Sequence, residues 1–223
     1  MKGRIIVIEG NDCSGKETQT SLLVQRLKRE GKKVELISFP EYDTPTGKIV
    51  GGPYLGRTNM GESFFKEGAI NVDPKVASLY YAADRRYNLP YINELISQGY
   101  DVIIDRYVES NMAHQGCKIQ DKDDRLKLYK WLETLEYNLL ELPKPDLTIL
   151  LHMPLKMVVE LKKGRIISDS HEDSLNYLKN SEAAYLELAK LNNQKVIECV
   201  SKNKLRDILD IHEEIYQIVK TKE

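Results

Sequence analysis

Cysteine is scarce. The chain has three, Cys13, Cys117 and Cys199, widely spaced and odd in number. With no Cys-x-x-Cys pair, this argues against both a disulfide framework and a structural zinc site and fits a reducing cytoplasm. No charge excess exists either: 33 Lys and Arg stand against 34 Asp and Glu, for a net charge of -1. Bulk electrostatics therefore give no reason to expect nucleic acid or an anionic membrane as a partner. Long apolar runs are missing. The Ile5-Ile6-Val7-Ile8 stretch after the N-terminus is too short for a membrane span or a signal-peptide core. Low-complexity tracts and internal repeats are also absent. What remains is an ordinary globular composition, 41% hydrophobic and 30% charged, sufficient for one domain over residues 1–223 with a lid-like insertion.

The apolar pattern alternates between two periods. Residues 4–9, Val34 to Phe39, Tyr100 to Ile104, Leu147 to Leu151 and Lys195 to Val200 read as five short strands. Helical spacing runs from Lys16 to a stop at Gly31, over Lys75–Asn88 and Tyr91–Gln98, and over 121–141 with Leu126, Tyr129, Leu132, Leu135 and Leu139 on one side. It returns over Leu155–Lys163, Leu175–Leu191 and Leu205–Val219. Residues 43–73 are rich in Gly, Pro, Asn and Thr and predict loops with one short helix, and no chemistry is assigned to 47–71. Strands joined by helical crossovers predict a five-stranded parallel sheet with helices on both faces, an α/β three-layer sandwich. Ligands of such sheets bind beyond the carboxyl ends of the strands.

Directly after the first strand stands Gly10-Asn11-Asp12-Cys13-Ser14-Gly15-Lys16, which fits G-x-x-x-x-G-K and is followed by Glu17 and Thr18. Glycines let successive N–H groups turn inward onto phosphate oxygens, and the following helix presents its positive end to the same anion. Lys16 supplies a point charge for the β- and γ-phosphates. Residues 10–18 are thus the expected ATP-binding loop of a P-loop NTPase-type fold. Glu17 departs from the usual Ser or Thr that ligates Mg²⁺; Thr18, one residue late, is expected at a phosphate. Cys13 is a small turn residue or a thiol activated by the helix end. A guanine-reading Asn-Lys-x-Asp element is missing, since Asn203-Lys204-Leu205-Arg206 lacks the Asp. Strand three ends in Asp105-Arg106 rather than Asp-Glu, which suits a second phosphate-bearing substrate better than a water nucleophile.

Five signatures in order, the Gly-x-Asp-x-x-Gly-Lys loop, Phe39-Pro40-Glu41-Tyr42, Tyr81-Ala82-Ala83-Asp84-Arg85, Asp105-Arg106-Tyr107-Val108-Glu109-Ser110-Asn111 and Leu142-Pro143-Lys144-Pro145-Asp146, resemble those of the thymidylate kinase family. The resemblance spans most of the chain. It implies transfer of the γ-phosphoryl group of ATP-Mg to dTMP, giving dTDP and ADP for dTTP supply, in a homodimer. Position by position it implies that Arg106 holds the dTMP phosphate, Arg85 meets the thymine edge and Tyr81 stacks on the base. Phe39 and Pro40, with Tyr42, would pack the base, while Ser110 and Asn111 line the nucleoside pocket. His114 would stand near the sugar C2′. Asp12 would contact the sugar hydroxyl or the metal, and Asp105 would orient Mg²⁺-bound water. The rival readings are another nucleotide kinase of this fold, or a nucleotide switch, against which the acceptor arginines speak.

The phosphate loop carries no arginine, so the resemblance implies a lid, about residues 162–172, that supplies one. Arg165 is the candidate catalytic arginine, with Lys162 or Lys163 near the adenine or phosphates. His171 is expected close to dTMP and Glu172 at the metal or sugar.

Overall fold

The computed structural model describes residues 2–162 and 171–221. Its centre is a five-stranded sheet in the order β2-β3-β1-β4-β5, every pairing parallel. The strands are β1 (Ile5–Gly10), β2 (Val34–Ser38), β3 (Asp101–Asp105), β4 (Leu147–His152) and β5 (Lys195–Glu198). β1 is buried at every position, as a central strand covered on both faces must be. Ile5, Val7 and Ile104 pack one way, toward α3 (Pro74–Ser97), α4 (Val108–Gly116), α5 (Lys122–Glu133) and α7 (His171–Leu191). Ile6, Ile8, Ile103 and Ile149 pack the other way, onto α1 (Lys16–Arg29) and α8 (Ile208–Lys220). The three-layer α/β architecture expected from the sequence is the one observed. Among the described residues no helix is long and apolar enough to cross a membrane.

α1 ends as its sequence predicts: Gly31 adopts φ 78°, and Lys32 N–H reaches the Leu27 carbonyl at 3.0 Å. Other boundaries differ. The expected helices over 75–88 and 91–98 are one helix running through Pro90. Leu89, Ile92, Leu95 and Ile96 are buried on both sides of that proline, and this continuous packing outweighs its local cost of about 3 kcal/mol. The helix expected over 121–141 changes at Thr134 into a wider π turn, Thr134–Leu139. The extra residue shifts the helix phase. Leu139, expected inside, is 70% exposed, and Glu136 is wholly buried instead. The fifth strand stops at Glu198, followed by a small hairpin of β6 (Val200–Ser201) and β7 (Lys204–Leu205), so the last helix starts at Ile208 rather than Leu205. Helix α4 has no counterpart in the sequence reading.

Between β2 and α3 the chain forms α2 (Pro45–Ile49), a wide turn Val50–Tyr54 and a short 3₁₀ turn Ala69–Asn71. This segment has its own small core: Val50, Tyr54, Val72 and Ala77, with Phe65, Tyr80 and Tyr81 against it. Gly52 is required there, because a Cβ would lie 2.4 Å from the Met60 carbonyl oxygen.

Candidate active site

The phosphate loop leaves β1 at Gly10, where a Cβ would stand 2.5 Å from Ser14 Oγ and 2.7 Å from the Leu151 carbonyl oxygen. Gly15 takes φ 79° to enter α1, and Cys13, half-buried, takes φ 59°. Lys16 opens the helix, and its buried Nζ donates to the Gly10 carbonyl at 2.8 Å and the Asn11 carbonyl at 3.2 Å. Burial and then the charge of Arg106 push its pKa down to about 8, against Asp105, Glu9 and Asp12. Asn11 turns its amide onto the residue after β4, donating to the Met153 carbonyl at 2.6 Å and accepting the Met153 N–H at 3.0 Å. Its side chain thus ties the loop to the neighbouring strand. Ser14 Oγ is buried without a partner among the described residues. Glu17 and Thr18 face solvent in the first turn of α1.

The Asp12 carboxylate, expected at a sugar hydroxyl or metal, instead accepts from Lys162 Nζ at 2.6 Å. Burial alone would raise its pKa, but the Lys162 ammonium holds it below the ordinary value. Lys162 ends α6 (Leu155–Lys162), so that helix reaches from β4 back to the phosphate loop. Arg165 and Lys163 lie outside the described residues. His171 and Glu172 fall in the first turn of α7, and their side chains are outside the described set as well.

One strand away, β3 ends at Asp105, and Arg106 follows with φ 67°. Its N–H bonds the Ile8 carbonyl at 3.2 Å, fixing the left-handed turn against β1. Arg106 Nη1 points at Ser110 Oγ (3.4 Å), His114 Nε2 (3.2 Å) and Tyr185 Oη (3.2 Å). A guanidinium only donates, so His114 Nε2 accepts, and its Nδ1–H bonds Tyr177 Oη at 2.7 Å. Burial and Arg106 push the His114 pKa down to about 3, consistent with a neutral ring. Behind Arg106 lies Glu9, a fully buried carboxylate that accepts from Tyr107 N–H at 2.7 Å, Ser110 N–H at 3.1 Å and Ser110 Oγ at 2.6 Å. Burial raises its pKa, and these bonds with the Arg106 and Lys16 charges oppose that rise. It caps α4 from another strand.

In front of Arg106 opens a cavity of about 740 Å³, counting its mouth, walled by Phe39, Pro40, Tyr42, Tyr81, Arg85, Ser110, Asn111 and His114 among others. The structure therefore brings together all the acceptor-side residues singled out from the sequence whose side chains it describes. Asp84 shapes the Phe39–Tyr42 wall by accepting from Glu41 N–H at 2.8 Å and Thr46 Oγ1 at 2.8 Å. Arg85 is 2% exposed and spends Nε and Nη2 on Glu136, at 2.5 and 2.7 Å. That leaves the two N–H groups of Nη1 and the second of Nη2 as donors for other partners. Glu136 Oε1 also accepts from Asn111 Nδ2 at 2.9 Å, while Asn111 Oδ1 is buried without a partner among the described residues. Tyr81 meets Tyr54 edge-on, with ring centroids 5.6 Å apart.

Several residues of the site went unread in the sequence: Tyr177, and Tyr54, Leu55, Ala69 and Ile70 of the segment given no chemistry, which line the cavity, and Glu9, Glu136 and Tyr185, which hold lining residues from behind. One of them left a signal: Glu9 is a lone carboxylate in an otherwise apolar buried strand. The rest had none, because the π turn, the 50–72 fold and the approach of α7 are tertiary. For a divalent cation the residues fit in one respect. Asp105 Oδ1 is buried with no partner among the described residues, and the Lys16 and Arg106 charges pull against the rise that burial causes in its pKa. No cluster of three or more His, Cys, Asp or Glu that could hold a metal exists among the described residues.

A glycine-rich loop leading into a helix, with an arginine pocket at the adjacent strand end, defines a P-loop phosphotransferase acting on a second phosphorylated substrate. The family model described as thymidylate kinase matches residues 8–215. The thymidylate kinase of Schizosaccharomyces pombe is 30% identical over 219 residues, 98% of this chain and 92% of that one. The human thymidylate kinase is 33% identical over 172 residues, 77% of this chain and 70% of that one. The structure of thymidylate kinase from Candida albicans superposes with a TM-score of 0.75 at 27% identity, covering 99% of this chain and 92% of that one. The chain belongs to the thymidylate kinase family, and it is a kinase that phosphorylates dTMP to dTDP with ATP.

Proposed function

We propose that the whole chain, 1–223, works as one kinase domain with residues 162–172 as its lid, and that the two strand ends divide the labour. Residues 10–18 bind the ATP phosphates through backbone N–H groups and Lys16, whose ammonium the triphosphate charge favours. Arg106 holds the dTMP phosphate. Arg85 Nη1 and Asn111 meet the thymine edge, Tyr81 faces the ring, and Phe39, Pro40 and Tyr42 close the remaining side. His114, neutral and fixed by Tyr177, borders the sugar. An acceptor phosphate oxygen attacks the γ-phosphorus in line as the bond to the ADP oxygen breaks. No general base is required, because the acceptor phosphate is already anionic at neutral pH. Arg165 and Lys16 neutralise the transferring group, and the lid excludes water. Mg²⁺, held through Asp105, would neutralise the β- and γ-phosphate charge. Asp12 and Glu172 are weaker metal candidates, Asp12 because Lys162 already occupies it.

The protein acts in the cytoplasm as a homodimer. The dimer is supported by an apolar stripe on α3, where Val76, Leu79, Tyr87 and Tyr91 are exposed.

The observation that carries the assignment of sites is Arg106, held in a left-handed turn beside the phosphate loop and facing the cavity. Arg106→Ala should lower kcat/KM for dTMP about 10²–10³-fold while the ATP Kd stays within about twofold. Undiminished dTMP turnover would overturn the assignment.

A further inference from the structure

The segment between α2 and α3 forms one side of the acceptor cavity through Tyr54, Leu55, Ala69 and Ile70. The chain leading into it is anchored at α2, where Asp84 accepts from Glu41 N–H and the Thr44 and Thr46 hydroxyls. Its far end is tied differently. Lys118, just beyond α4, sends Nζ to the Val72 carbonyl at 3.0 Å and the Ala69 carbonyl at 3.3 Å. The Ala69 carbonyl also accepts from Tyr54 Oη at 3.0 Å, and the Tyr54 ring stands edge-on to Tyr81. Lys118 thus closes a ring: α4, with Ser110, Asn111 and His114, is joined to the opposite wall and through Tyr54 to the aromatic ring that faces the base.

We propose that Lys118 is a positioning residue, holding the 54–72 wall against α4 and so setting the width of the acceptor pocket. The proposal rests on the reading of this cavity as the dTMP site. Its chemistry fits that task. Among the described residues Lys118 forms no ion pair, so its ammonium is spent on two main-chain carbonyls, which accept charge-assisted bonds. Among the described residues, the titratable groups that interact with it are Asp73, already engaged by the Lys75 and Val76 amides, the Cys117 thiol and neutral His114. Burial pushes the Lys118 pKa down to about 8. The clamp is therefore charged at neutral pH and weakens in mild alkali.

Steady-state kinetics of the full-length enzyme, Lys118→Met and Lys118→Arg, varying dTMP and ATP separately from pH 6.5 to 9.5, test this. At pH 7 Lys118→Met should raise the KM for dTMP about tenfold, with kcat and the KM for ATP within about twofold, the size of one lost charged bond. Lys118→Arg should restore most of it. In the wild type the KM for dTMP should climb above about pH 8; in Lys118→Arg that climb should be clearly smaller. Lys16 titrates nearby and acts in both proteins, so the difference between the profiles isolates Lys118. An unchanged KM for dTMP in Lys118→Met, or equal losses for both substrates, would overturn the clamp. If the Met variant does not fold, coincident profiles for wild type and Lys118→Arg would overturn it just as well. Failure to phosphorylate dTMP in the wild type would instead strike the reading of the cavity.

Discussion

The N–H of Tyr107 donates to Glu9 Oε1 at 2.7 Å. Glu9 is the residue before the phosphate loop begins, and Tyr107 is the residue after the acceptor arginine. One bond therefore couples the ends of β1 and β3, and the second carboxylate oxygen binds Ser110 Oγ, itself beside Arg106. In the proposed reading, the spacing between the two phosphate sites is helped by this buried carboxylate.

Replacing it tests this coupling. Glu9→Gln keeps the volume but has one acceptor oxygen for three donors, leaving buried N–H or O–H groups unmatched at about 1–3 kcal/mol. The expected result is a loss of unfolding free energy of that size in urea titration. A drop of about tenfold or more in kcat/KM for dTMP should accompany it, with ATP affinity less affected. Wild-type stability would show that the cap is dispensable.

Arg85 and Glu136 form a buried bidentate pair, 3% and 0% exposed at the side chain. Burial opposes the Arg85 charge, and Glu136 overrides it, raising its pKa. Breaking one partner is predicted to cost about 3–5 kcal/mol. Glu136→Ala should be destabilised by that much in denaturant titration, and any folded enzyme should lose dTMP affinity through a misplaced Arg85.

Gly10→Ala drives a Cβ against Ser14 Oγ and the Leu151 carbonyl, both closer than 3.0 Å. Backbone oxygen cannot move aside cheaply, so a loss of about 1–3 kcal/mol is expected. The functional loss should fall on ATP: its Kd, measured by titration calorimetry, should weaken at least tenfold, while dTMP binding without ATP stays near wild type.

His152 lies between two carboxylates, Nε2 to Glu182 at 2.8 Å and Nδ1 to Glu198 at 2.7 Å. Both nitrogens must donate, which needs the imidazolium. Burial opposes that charge; Glu182 and Glu198 outweigh it and raise the pKa above 6.5. A raised native pKa makes the contribution complete below the ordinary value near 6.5, and it fades as pH rises through the native value. Thermal melts should show wild type losing stability over that interval relative to His152→Gln. Parallel curves would refute the pairing.

The phosphate loop was legible because its chemistry is local: glycines, a lysine and a strand-to-helix switch lie within nine residues of one another. Helix α4 was not. Its residues are buried nearly all round, so they show no amphipathic stripe, and its cap comes from Glu9, about a hundred positions away. The same holds for Glu136, whose inward position depends on a π turn that no apolar spacing announces. Arg85 lines the cavity, but the engagement of its Nε and Nη2 by Glu136 was invisible in the sequence.

By itself the sequence determined the parallel sheet and the glycine-rich loop between its first strand and the following helix, since periodicity and short motifs are written in adjacent residues. The tertiary structure decided which of those groups are already engaged: Asp12 by Lys162, Asn11 by Met153, Arg85 by Glu136. It also decided how the pocket is walled, by folding the 50–72 segment over the cavity. Hydrogen-bond partners and burial come from residues far apart in the chain, and only packing brings them within 3 Å.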